Sequence, residues 1–241
     1  MSEPPRQLPL PLPLAISSAR ADLIADASNA EALAWLDRPE GWPLHRLALH
    51  GPAGTGKSHM LRATAAERGW RLLAGGALTD ALALADAPGT ALDGADAAPE
   101  TALFHLINRS AEAGAPLLLA ARAPPARWHT ALPDLASRLR ATASVGIAPP
   151  SDALRAALLA KHLADRQLRL APDVAAFLLA RLPREAAAIA QAVATLDAAS
   201  LEARAAITRP FAAQALRALL RSDDDTIGKR PAASPDRGDS G

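Results

Sequence analysis

The sequence predicts an α/β protein: a parallel sheet flanked by helices, carrying a phosphate-binding loop, followed by a small all-helical domain. Three observations predict it. Apolar runs of strand length alternate with helical patterns through the first 150 residues or so. One strand-to-helix joint, Gly51-Pro52-Ala53-Gly54-Thr55-Gly56-Lys57-Ser58, fits the pattern G-x-x-x-x-G-K-[ST] at every fixed position. After Pro149-Pro150, helical patterns follow one another with no strand pattern between them.

The elements follow in order. Residues 1–20 read as an extended leader, because Leu and Pro alternate from Leu8 to Leu14 and favour polyproline II or strand. The run Leu8–Ile16 superficially resembles a secretory signal. Pro9, Pro11 and Pro13 would break the helix that such a segment needs. Ser28-Asn29 is expected to cap a helix over Ala30–Leu36, ended by Pro39 and Gly41. Leu44–His50 is the first clear strand. A helix runs from about Ser58 to Arg68, with Gly69 at its C′ position. Trp70–Leu73 fits a short strand, and residues 74–90 fit no single pattern. Thr90–Asp93 fits the end of a short strand carrying an acid. Glu100–Ala113 reads as a helix ending at Gly114, and Leu117-Leu118-Leu119 as a buried strand. Beyond Pro150, helices are expected over Asp152–Arg166 with Ser151 as N-cap, Pro172–Leu182, Arg184–Ala199, and Arg209–Leu220 with Thr208 as N-cap. From Ser222 onward acids, Pro, Gly and Ser dominate, as in a disordered tail. The organisation is therefore a leader (1–20), an α/β domain (21–150), a helical domain (151–221) and a tail (222–241).

Composition narrows the classes. Half the residues are apolar, but the excess is alanine, with 3% aromatics and no Tyr, so helices should pack closely while burying little area each. Net charge is +1 with both signs interspersed, which demands neither nucleic acid nor an anionic membrane. No other apolar run is long and unbroken enough to span a bilayer as a helix. Cys is absent, which excludes disulfides and thiolate metal sites and suits a reducing cytoplasmic home.

The loop at 51–58 carries the clearest chemistry. Glycines let the backbone wrap closely around phosphate oxygens, and its N–H groups form an anion nest backed by the following helix. Lys57 supplies a point charge for terminal phosphates and Ser58 a hydroxyl for Mg²⁺. The chain is expected to bind a nucleoside di- or triphosphate, which the family resemblance given below narrows to ADP or ATP. Hydrolysis needs an acid near Mg²⁺ and a second carboxylate to polarise water. Asp93 suits the first role. Its neighbour is Gly94, so the second is missing from the adjacent place, and Asp96 or Glu100 are weaker substitutes. On spacing alone Arg138, in Leu132-Pro133-Asp134-Leu135-Ala136-Ser137-Arg138-Leu139, is an ordinary helix-surface arginine, and Arg184 beside Glu185 an ordinary ion-pair residue. The stretch Gln7-Leu8-Pro9-Leu10-Pro11-Leu12 suits docking into an apolar groove, or is simply a Pro-rich leader. The six histidines show no metal-ligand spacing.

These pieces together resemble the Hda/HdaA family, small homologues of the replication initiator DnaA among the AAA+ ATPases. The likeness runs from about Arg6 to Leu220. It rests on Pro124-Pro125-Ala126-Arg127-Trp128 with the 132–139 segment, on Asp165-Arg166-Gln167-Leu168, and on Ile207-Thr208-Arg209-Pro210-Phe211. The resemblance implies that Gln7, Leu8, Leu10 and Leu12 contact the β subunit sliding clamp of DNA polymerase. It implies that Arg138 is an arginine finger acting on nucleotide at a contact with DnaA, that Arg184 is the lid arginine called sensor 2, and that Asn29 lies where the backbone frames the base. Gly94 and, at the sensor 1 position, about Ala120 depart from the family pattern, and both remove groups that position attacking water. The implied function is a regulator that switches off DnaA while tethered to the clamp on DNA, with weak or no ATPase of its own. It needs no sequence-specific DNA contact and allows a homo-oligomer. Two alternatives are a self-sufficient ATPase, such as a helicase loader or remodeller, and a DnaA-like DNA-binding module, which would need a helix-turn-helix or a basic stripe.

Overall fold

In the computed structural model the described residues are 20–220. Gln7, Leu8, Leu10, Leu12 and the tail from Ser222 lie outside them. Five strands form one parallel sheet: β1 (Arg46–His50), β2 (Arg71–Ala74), β3 (Thr90–Asp93), β4 (Leu117–Ala121) and β5 (Ala143–Gly146). Their order is β2-β3-β4-β1-β5, with β1 hydrogen-bonded to β4 on one edge and to β5 on the other. Helices α1 (Ala30–Leu36) and α2 (Lys57–Arg68) cover one face. Helices α3 (Asp80–Leu84), α4 (Glu100–Ala113) and α5 (Pro133–Arg140) cover the other.

Strand periodicity sorts the core. Leu47 and Leu49 of β1, Leu118 and Ala120 of β4 and Ala91 of β3 pack against Leu33, Leu36, Met60 and Leu61. Ala48, Leu92, Leu117 and Leu119 point the other way, against Leu103, Leu106, Ile107, Leu135 and Leu139. Both faces are buried, so the strands read as continuous apolar runs rather than alternating ones.

Several boundaries differ from the sequence expectation. β1 begins at Arg46, not Leu44: Leu44 and His45 sit at φ 53° and 55°, in a tight turn opened by Pro43, and cannot join a ladder. Residues 74–90 resolve into a turn at Gly75–Ala77 and α3, whose N-cap hydroxyl on Thr79 accepts from the Leu82 N–H at 3.3 Å. β5 was not foreseen. It is four residues long and partly exposed, and only pairing with β1 makes it a strand.

The remaining helices are α6 (Asp152–Asp165), α7 (Pro172–Arg181), α8 (Ala186–Ala203), α9 (Arg209–Ala215) and α10 (Arg217–Leu220). Ser151 caps α6 and Thr208 caps α9, as their positions predict. α8 starts at Ala186 rather than Arg184, because Glu185 is extended (ψ 133°). The expected helix 209–220 breaks at Leu216, whose turn conformation (φ −99°, ψ 13°) lets that side chain bury. A separate apolar cluster fills the helical part: Leu159, Val174, Phe177, Leu178, Ile189, Val193 and Leu196, with Ala192 and Ala212 at close helix approaches. Among the described residues no helix is long and apolar enough to cross a membrane.

Two stability predictions follow from this packing. Leu118 is fully buried at the centre of the sheet, so Leu118→Ala should cost about 3 kcal/mol in urea unfolding. His50, and the pair His59 on α2 and His162 on α6, are held below the ordinary histidine value, first by burial. The unfolded chain therefore takes up these protons first. Their contribution is complete above a pH of about 6.5 and is lost as pH falls from there through the folded values. The urea midpoint should be lower at pH 5.5 than at 7.5, and His59→Gln with His162→Gln should narrow the gap.

Candidate nucleotide-binding site

The loop lies between the end of β1 and the start of α2. Gly54 and Gly56 adopt φ 74° and 94°, a region closed to most side chains, and Gly56 is the N-cap of α2. A Cβ on Gly51 would overlap the Ile147 carbonyl, so glycine there lets the loop pass directly over the end of β5. The Lys57 ammonium donates to the carbonyls of Gly51 (2.8 Å) and Pro52 (2.7 Å) and lies 3.3 Å from Thr55 Oγ1. Thr55 Oγ1 itself donates to the Pro52 carbonyl at 3.1 Å. Pro52 and Ala53 are exposed at the loop's crest, and Ser58 is half-buried in the first turn of α2.

The neighbouring strands bring up charge of both signs. Burial pushes the Lys57 ammonium below its ordinary value, Asp93 and Asp96 oppose that, and Arg122 adds to it. Asp93 closes β3 in register with Ala120 of β4, so the acid stands one strand away from that residue. Ala120 is fully buried on the α1–α2 face and offers no polar group. Gly94 is a left-handed turn residue at φ 65°. Ser58 and Asp93 can supply the hard oxygen donors that Mg²⁺ takes, and the loop amides with Lys57 can hold phosphate oxygens.

The helical part closes over the loop. The Ala186 N–H at the start of α8 donates to the Gly54 carbonyl at 3.1 Å, and a Cβ on Gly54 would overlap Glu185 Cγ. Arg184 is exposed, and its guanidinium is held by Asp152 at 2.6 Å. Glu185 and Ala186 therefore touch the loop, while Arg184 stands beside it. Asn29 is buried, and it does not cap α1. Its Oδ1 accepts from the Asp26 N–H (2.8 Å) and its Nδ2 donates to the Ile24 carbonyl (2.9 Å), which fixes the turn 24–29. That turn meets the chain leaving β5, where the Ala148 N–H donates to the Ser28 carbonyl at 3.1 Å.

Asp26 was not singled out from sequence. Its carboxylate accepts from Ser28 N–H (3.0 Å), Ser28 Oγ (2.7 Å) and Ser151 Oγ (2.8 Å), and these bonds, Ser28 foremost, hold its pKa down at about 2. Ser151 thus caps α6 and ties it to the core at once. No local signal marks a bond across 125 positions. Arg122 also escaped notice, since it simply follows β4 as an exposed basic residue.

Arg138 lies elsewhere. It sits in the last turn of α5, its guanidinium 5.2 Å from the Phe104 ring, and its carbonyl accepts from Thr142 Oγ1 at 2.9 Å. Thr142 leads directly into Ala143, which pairs with Leu47 near the start of β1. Arg138 and the loop therefore occupy opposite ends of β1, separated by roughly 16 Å of strand.

Two variants probe the site. Lys57→Ala should weaken binding of a fluorescent ADP analogue by at least about tenfold while leaving the melting temperature nearly unchanged. Gly54→Ala adds strain at positive φ and drives Glu185 off the loop, so it should weaken binding and raise amide exchange at the start of α8.

Comparison with known proteins follows this geometry. Residues 152–216 match the family model of the Hda lid domain. Domain III of the Thermotoga maritima replication initiation protein DnaA superposes with a TM-score of 0.73 at 17% identity, over 87% of this chain and 99% of that one. AMPPCP-bound DnaA from Aquifex aeolicus gives 0.62 at 18% identity, over 77% of this chain and 66% of that one. The Thermotoga maritima RuvB Holliday junction branch migration motor gives 0.64 at 13% identity, over 84% and 72%. At these identities the likeness is one of fold. The helical part is thus similar to the Hda lid domain, and the chain as a whole shares the fold of DnaA domain III.

Proposed function

We propose that this protein inactivates DnaA by promoting hydrolysis of DnaA-bound ATP while its leader holds it to the DNA-loaded sliding clamp. The observation that carries the proposal is the position of Arg138. It stands at the end of the sheet opposite the chain's own phosphate loop, so it serves a nucleotide held by another subunit. A guanidinium delivered to such a site neutralises charge developing on the transferred phosphoryl group, an effect worth about 10³–10⁵ in rate.

The chain's own nucleotide, ADP or ATP with Mg²⁺, is structural in this reading. Lys57 and the loop amides hold phosphates, Ser58 and Asp93 hold the metal, and the turn at Asn29 frames the base. Arg184 exchanges Asp152 for the phosphates as the lid closes. Ala120 and Gly94 leave attacking water without its usual partners, so turnover by the chain itself is low. The AMPPCP-bound DnaA neighbour supports nucleotide binding on this fold. Clamp tethering is assigned to Gln7, Leu8, Leu10 and Leu12.

Two experiments test the reading. Gln7→Ala with Leu12→Ala should abolish co-purification with the clamp and leave nucleotide binding intact; undiminished capture would end the tether assignment. Arg138→Ala should keep clamp and nucleotide binding yet lose at least about a hundredfold of the stimulated hydrolysis on DnaA. Full stimulation by that variant would refute the proposal.

A further inference from the structure

Arg46 is the one strand residue at the lower end of β1 with a charged side chain, and it is 3% exposed. Strand alternation places it on the face of Ala48, which packs with Leu135 and Leu139 of α5. Its register neighbourhood is that of Thr142, the residue that bonds the Arg138 carbonyl. Arg46 and Arg138 therefore stand together. Neither has an ion-pair partner among the described residues. In both, Nε is buried without a hydrogen-bond acceptor. Burial pushes the Arg46 guanidinium down, and Arg138 pushes it further the same way.

A buried cation beside a second cation, with no acid for either, is costly in the isolated chain and becomes favourable when an anion arrives. The short anionic groups of a bound nucleotide suit this end of the sheet, because Arg138 leans on Phe104 and can swing outward while Arg46 stays fixed in the strand. We infer that Arg46 and Arg138 form a two-cation receptor for the polyphosphate of a nucleotide held by a neighbouring P-loop subunit, Arg138 reaching it and Arg46 setting the field behind it. This rests on the reading of Arg138 given above. Arg46 is a positioning residue in this scheme and need not touch the phosphate.

The test uses the full chain with clamp, DNA and ATP-loaded DnaA. Arg46→Met keeps the volume and removes the charge. Stimulated hydrolysis at saturating partner should fall about tenfold, a modest share of what a finger is worth. Apparent affinity for DnaA and for the chain's own nucleotide should stay within about twofold. The melting temperature should hold or rise, because an unpaired buried charge is gone. Arg46→Lys should retain most of the stimulation. Unchanged stimulation in Arg46→Met, an equal loss in Arg46→Lys, or a melting temperature several degrees lower would overturn the inference. So would a loss of partner affinity in place of rate, which would mark Arg46 as the seat of a partner carboxylate. Arg138→Ala separates the two claims: if it loses stimulation and Arg46→Met does not, the functional reading stands and the role of Arg46 falls. If Arg138→Ala keeps full stimulation, both fall.

Discussion

β1 is hydrogen-bonded along both edges, to β4 and to β5, and its two ends meet the phosphate loop and the arginine of α5. His50 leads into the phosphate loop, and Arg46 stands beside the arginine of α5. Parallel pairing fixes the sense of every neighbour, so Asp93 and Arg122 gather at the end with the loop. Thr142 and Arg138 gather at the other. A five-residue strand is thus a ruler between the phosphate-loop motif and the paired arginines Arg46 and Arg138. Shift its register by one residue and both ends lose their partners, while Leu47 and Leu49 trade faces with Ala48.

Around this ruler polar contacts tie the helical part to the core. Asp26 with Ser151, Lys161 with Asp22 at 2.7 Å, and the Ala186 N–H with the Gly54 carbonyl join α6 and α8 to the core. The lid has its own apolar cluster, distinct from the two that clothe the sheet. Packing holds each part together, and directional bonds join them. Such bonds can exchange partners at little net cost, which suits an element that must adjust to what the loop holds.

Much of this was legible in the chain. The loop motif, Gly69 and Gly114 as left-handed helix ends, the run Leu117–Leu119, and Ser151 and Thr208 as caps are local features with local physical causes. What was not legible depends on distance. β5 has no pattern of its own and exists because β1 offers an edge. Asp26 looks like any loop acid until Ser151 arrives. Arg46 reads as a charge inside the strand Leu44–His50, with no hint that α5 will lie beside it. Asn29 sits at a helix start and would be taken for its cap, yet its side chain turns back to brace Ile24 and Asp26. Ala120, about where the resemblance puts sensor 1, is buried on the α1–α2 side.

The contact between Glu185–Ala186 and Gly54 has a mechanical side. It lies at the very start of α8, an 18-residue helix whose far end is Ala203. Such a helix is about 27 Å long, so a tilt of about 10° at its anchored end carries Ala203 through about 5 Å. The phosphate loop is the fulcrum, and the helix is the lever. A small tilt at Gly54 therefore corresponds to a displacement of side-chain size at the far end of that helix.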